Sequence, residues 1–158
     1  MTVLPILLFV IPWSIWRQMH ARPVTVEALV KLPLIFGVVA TVVALTAHTH
    51  TVTVAAVVYN AACAVLAIAF GAWRGTRVSI WHEQDTPMQR GNRTTLTLWI
   101  VMIALKIGLG TLAAVTGWIP AEGAAAILAF FALTMAIQNV AVARRTLWAP
   151  RTPVGAAA

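Results

Sequence analysis

From Val52 to Trp73 the chain reads VTVAAVVYNAACAVLAIAFGAW, 22 residues without one charged side chain. Three other stretches are comparable, at about 28–47, 96–118 and 124–143, and the only charges inside them are Lys31 and Lys106. A shorter apolar run, about 3–16, stands near the start. In hydrocarbon every backbone N–H and C=O must find its partner within the same segment, so uncharged runs of about 20 residues specify membrane-crossing helices. Strands of a membrane barrel would alternate polar and apolar residues over about 10 positions, and these runs do not alternate. Only 9% of the residues are charged and 61% are hydrophobic, which no water-soluble surface could cover. The expectation is an all-α integral membrane protein: a five-helix transmembrane bundle forming one domain over 1–145, followed by a mobile tail at 146–158.

The connectors set the orientation. Arg17, Arg22, Arg74, Arg77, Arg90, Arg93, Arg144, Arg145 and Arg151 all fall on one side when five spans are threaded, whereas 48–51 and 119–123 hold no lysine or arginine. The positive-inside rule then puts the N-terminus outside and the C-terminus in the cytoplasm of a bacterial inner membrane. The formal charge of +7 is accordingly a topology signal, and a nucleic-acid partner is not expected. The first run lacks a basic segment before it and is followed by Arg17, so it reads as an uncleaved anchor rather than a cleavable signal. Cys63 is the only cysteine and lies within a span, which excludes a disulfide framework or a CxxC pair.

Small residues recur at helical spacing in the long spans: Gly37, Ala40 and Ala44; Ala56, Asn60, Ala64, Ala67 and Gly71; Gly110, Ala113 and Gly117; Ala125, Ala129, Ala132, Ala136 and Asn139. They let helix backbones approach closely, which drives packing where lipid is as apolar as leucine. No internal repeat is present, which argues against a transporter built from inverted halves.

Lys106 lies roughly 16 Å from either end of its span, too deep to reach the headgroups, and a lysine there costs about 2.5–3.5 kcal/mol on insertion scales. Glu27, Glu83, Asp85 and Glu122 are all in connectors or at span ends. The uncharged groups at comparable depth are Asn60, Tyr59, Thr41 and Thr134, which define a candidate intramembrane polar site with Lys106. Three states are open to the lysine: neutral through desolvation, charged in a wet cavity, or paired with an acid on another membrane protein.

Between the third and fourth long runs, Arg77 to His82 has strand-like composition and Glu83-Gln84-Asp85-Thr86-Pro87 supplies a turn, so a short basic hairpin-like cytoplasmic loop is expected. Arg74, Arg77, Arg90 and Arg93 with Trp81 suit anionic headgroups or a partner surface, each basic residue adding about 1 kcal/mol near such a membrane. His48 and His50 form an HxH that two imidazoles and Glu122 could turn into a metal site. Without a second pair they read as polar loop residues, and neither a metal nor a cofactor is expected. No Ser-His-Asp, paired-carboxylate, Walker or HExxH pattern occurs, so the chain is not read as an enzyme.

Gly71-Ala72-Trp73-Arg74-Gly75, Arg90-Gly91, Trp99 and the mid-span Lys106 form a pattern that resembles the CcdC-like family of small multi-pass bacterial membrane proteins, over roughly Trp13 to Arg145. The resemblance implies a membrane protein associated by name with cytochrome c maturation, without a defined chemistry of its own. Lacking a thiol pair, the chain does not support direct thiol–disulfide exchange. The function expected is that of a non-enzymatic accessory or assembly subunit of a membrane complex. The alternative is a small transporter or permeation protein with a polar cavity around Lys106 and Asn60.

Overall fold

The computed structural model describes Trp16 and residues 20–46, 53–83, 86–119 and 123–148. Among the described residues, four helices are long and apolar enough to cross a membrane: α1 (Val26–Thr46), α2 (Val54–Arg77), α3 (Arg93–Val115) and α4 (Ala124–Thr146). They carry a three-stranded sheet of β1 (Arg22–Pro23), β2 (Ser79–Glu83) and β3 (Thr86–Arg90). The expected short span at 3–16, except Trp16, the HxH of His48 and His50, and most of the tail lie outside the described residues.

Several helix boundaries have an identifiable cause. The Thr53 hydroxyl accepts the Ala56 N–H at 3.2 Å and the Asn92 side chain accepts the Thr95 N–H at 2.9 Å, both as N-caps. At the other end of α3, Gly117 adopts φ +69 and its N–H bonds to Ala114 O at 3.1 Å, while Trp118 N–H returns to Ala113 O at 3.0 Å. That left-handed residue stops the helix at Val115, three residues before the expected Trp118. Helix α2 instead runs four residues past the expected Trp73. Its final carbonyls are capped from elsewhere: Arg145 donates to Gly75 O and Val78 O at 2.7 and 3.2 Å, and Asn92 donates to Arg77 O at 2.7 Å.

Helix α4 is the centre of the bundle, and α1 and α2 pack closely on it. The approach of α2 depends on two glycines. A Cβ at Gly71 would fall 2.6 Å from Thr134 O, and one at Gly75 would fall 2.5 Å from the Ala141 Cβ. The approach of α1 uses a backbone bond that proline leaves open. Pro33 lies inside α1 and has no N–H for the carbonyl of Leu29, four residues earlier. The Asn139 side-chain amide of α4 donates to that same Leu29 oxygen. A breaker in one helix thus becomes an acceptor for the next.

Helix α3 joins through larger side chains. Trp99, Met102 and Lys106, spaced along one face, are buried, and Trp99 stacks on Phe131 of α4 with ring centroids 5.7 Å apart. Outward faces are lined with apolar side chains such as Val30, Leu34, Val65, Ile68, Ile107 and Leu112, as contact with lipid requires. Trp73 and Trp148 are exposed at the end that carries the sheet, and Trp118 at the opposite end, the distribution of an interfacial aromatic belt.

The sheet is antiparallel in the order β1-β3-β2. The hairpin pairs Ser79 with Arg90 through Glu83 with Thr86, and β1 adds Arg22 opposite Gln89 and Pro23 opposite Met88. Val24 N–H extends the pairing to Pro87 O at 2.7 Å. Read from sequence, the segment holding β1 is only a basic connector; it becomes a strand because β3 offers it an edge. Val24, Val78 and Ile80 cover Leu29, Val142 and Ala143, so the sheet closes the end of the bundle with a small apolar core.

Gly75→Val is expected to destabilise the bundle by about 2 kcal/mol through overpacking against α4, whereas Gly108→Ala, with open space around it, is expected to be neutral or stabilising. Denaturant titration in detergent, followed by far-UV circular dichroism, compares the two. Asn139→Leu is expected to cost about 1 kcal/mol in the wild-type background and less when Pro33→Ala restores the N–H that Leu29 O lacks. Equal costs in both backgrounds would disprove the proline-amide coupling.

Candidate functional site

Among the described residues, two basic side chains are buried in the bundle. Arg74, in the last turns of α2, has 0% of its surface exposed, and Lys106, in the middle of α3, has 5%. Their environments differ.

The Arg74 guanidinium lies over the Trp99 ring, 4.0 Å from its centroid, and donates to Gln138 Oε1 and, at 4.0 Å, to the Met102 sulfur. A planar cation that is weakly hydrated suits this position, because its face can stack on indole while its edge donates to the amide. Arg74 was expected at the headgroup surface. Its burial corrects that expectation: α2 continues as helix to Arg77, and the Gly71 and Gly75 contacts hold this turn against α4, beside Gln138.

Lys106 Nζ lies 3.3 Å from Cys63 Sγ and 3.5 Å from Tyr59 Oη, and sits 4.9 Å from the Tyr59 ring centroid and 5.2 Å from that of Phe130. Its surroundings are therefore aromatic and sulfur-containing, with long polar contacts. The two basic side chains are connected. Trp99, which Arg74 covers, stacks on Phe131; Phe131 meets Phe130 edge-on at 5.9 Å; and Phe130 faces Lys106.

Of the polar residues expected around Lys106, only Tyr59 contacts it among those placed here. Asn60 is exposed on the outer face of α2, where its amide donates to Ala56 O at 2.8 Å. Thr41 is exposed on α1 and donates to Gly37 O at 2.9 Å. Thr134 is fully buried, but its hydroxyl turns to its own helix, donating to Phe130 O at 2.8 Å. Asn60 and Thr41 are thus not part of an enclosed polar site, because one residue of helix advance, from Tyr59 to Asn60 and from Ala40 to Thr41, rotates a side chain by about 100°. Arg77, Arg90 and Arg93 are exposed and Trp81 is half-buried on the hairpin, positions open to headgroups or a partner.

Sequence reasoning missed Gln138, which the arginine needs, and Gln89, whose side chain is 2% exposed beneath the sheet. The adjacent amides Gln138-Asn139 inside an otherwise apolar span were the available signal for the first. The second required the strand register. Among the described residues no group of three or more His, Cys, Asp or Glu side chains is placed to hold a metal ion.

Comparison with known protein families, curated proteins and solved structures finds no match to this chain. The site must therefore be read from its own geometry.

Gln138→Leu is expected to cost about 2–3 kcal/mol, because it leaves a buried guanidinium short of an acceptor. The Arg74→Met, Gln138→Leu double variant should recover part of that loss, with a coupling energy of about 1 kcal/mol or more in a double-mutant cycle of detergent unfolding. Additive losses would mean that the pair does not act together.

Proposed function

We propose that this chain is a non-enzymatic multi-pass membrane protein that serves as an accessory or assembly subunit of a larger membrane complex. In this reading 3–16 supplies a fifth span, the N-terminus faces outward, and the arginine-rich end lies in the cytoplasm of a bacterial cell whose inner membrane holds the bundle. Its resemblance to the CcdC-like proteins fits the same role. Arg77, Arg90, Arg93 and Trp81 then meet anionic headgroups or the partner at the cytoplasmic surface.

The observation that carries the reading is the outward placement of Asn60. Its side chain is exposed within the apolar length of α2, beside Val57 and Val58, whose side chains are 55% and 53% exposed. A side-chain amide facing hydrocarbon is stabilised when a neighbouring helix hydrogen-bonds to it, typically by about 0.6 kcal/mol and up to 1–2. Lys106, by contrast, is enclosed by Tyr59, Cys63 and Phe130, so the proposed contact is Asn60 and not an acid reaching the lysine. The alternative of a permeation path lined by Lys106 and Asn60 together is disfavoured by the same geometry, since the two lie on different faces of the bundle wall.

Affinity purification of tagged protein from native membranes in mild detergent, with mass spectrometry and sizing, tests this. The wild-type chain is expected to carry a stoichiometric membrane partner, and Asn60→Leu to weaken that association by about tenfold, or about 1.4 kcal/mol. Lys106→Met should retain it. A wild-type chain that isolates alone, or vesicles that show a solute flux abolished by Lys106→Met, would overturn the assembly role.

A further inference from the structure

Where the sheet meets the bundle, Arg22 of β1, Val78, Gln89 of β3, Gly91, Thr95 of α3 and Gln138 of α4 line a narrow recess with room for about one water molecule. Gln89 is 2% exposed, and its Nε2 has no hydrogen-bond partner among the described residues. An enclosed amide N–H is costly to leave unsatisfied, and folded proteins answer such groups with a protein acceptor or an ordered water. Gln89 belongs to the central strand, opposite Arg22 on one side and Ile80 on the other, so its backbone cannot shift toward α3 or α4 without breaking those pairs. The side-chain oxygens of two lining residues already have partners: Gln138 Oε1 accepts from Arg74, and the Thr95 hydroxyl donates to Asn92 Oδ1 at 3.0 Å. Each of these oxygens still keeps a lone pair for a further donor.

The space admits one small molecule, Nε2 requires an acceptor, and the oxygens of Thr95 and Gln138 take a donor. Water serves both needs. A halide would only accept and would face two oxygens, whereas an ammonium would only donate. We infer that the recess is a binding site for a single structural water, which accepts from Gln89 Nε2 and donates to Gln138 Oε1 and Thr95 Oγ1. About three hydrogen bonds are the usual complement of a buried water. The recess lies between the closing sheet and the first turn of α3, at the arginine-rich end where the exposed Trp73 and Trp148 mark the interface, so water reaches it from the headgroup layer. Bound there, the water ties the central strand to α3 and α4 and gives Gln138 Oε1 a second donor beside the buried Arg74. The sheet is thereby coupled to the arginine–glutamine pair.

The test reads two quantities on the full chain in a neutral detergent. The first is an NMR contact between the Gln89 side-chain amide and water, with nitrogen-labelled glutamine and with the Gln89 signal identified by its loss in Gln89→Met. The wild-type amide is expected to show a through-space cross-peak to water with the sign that a residence of nanoseconds or longer gives, opposite to that of direct proton exchange. The second quantity is the melting temperature. Methionine matches glutamine in length but cannot donate, so Gln89→Met takes away the anchor of the water and is expected to lower the melting temperature by about 3 °C. In a dry recess the same substitution would instead remove an unsatisfied donor and raise it. A melting temperature that is unchanged or raised in Gln89→Met, or a wild-type Gln89 amide without the water cross-peak, overturns the inference.

Discussion

The structure depends on two neighbouring amides in the last helix. Gln138 and Asn139 sit about two-thirds of the way along this apolar helix, and each satisfies a polar group that another helix cannot satisfy for itself. Gln138 accepts from the buried Arg74 guanidinium, and Asn139 donates to the carbonyl that Pro33 leaves open. With no water in the hydrocarbon layer, both groups would otherwise stand exposed to an apolar medium. Because the residues are adjacent, they point to different sides of α4, one toward α2 and the other toward α1. This fixes α4 as the helix on which the others assemble, and small residues then let the backbones close on it.

The buried basic side chains Arg74 and Lys106 are covered by aromatic surface. Arg74 is covered by Trp99 and Lys106 by Tyr59 and Phe130, and the rings of Trp99, Phe131 and Phe130 join the two. Aromatic faces offer a cation a partial substitute for hydration, with energies that grow as water is removed. The arrangement also explains how α3 belongs to the bundle although it approaches less closely. It is held by long side chains that span the gap between backbones, not by glycine contacts.

The sheet converts the polar ends of four helices into one unit. β1 leads into α1, β2 and β3 connect α2 to α3, and Arg145 of α4 caps α2 just beside β2. Val24, Val78 and Ile80 cover the helix ends with an apolar layer, while Arg22, Gln89 and Gln138 leave a polar recess inside the same junction. Apolar and polar groups meet on the same side of the sheet there, since Arg22, Gln89 and Ile80 stand opposite one another in the register and Val24 is two residues from Arg22.

The sequence by itself determined the class and the longer spans, since uncharged runs of this length have few stable forms in or out of a bilayer. It also determined the hairpin, whose Glu83–Pro87 turn signal and strand-forming residues are local, although Glu83, Thr86 and Pro87 belong to the paired strands. It placed Lys106 and Trp99 on one face by their spacing of seven. Tertiary structure alone decided which polar groups meet. Tyr59 turns inward and Asn60 outward through a single step of helix rotation, Arg74 is buried because α2 does not stop at Trp73, and the carbonyl freed by Pro33 finds its donor 110 residues away in sequence. Pairings of that kind depend on the rotation and depth of one helix against another, which are set by packing over the whole bundle and leave no local trace in the order of the residues.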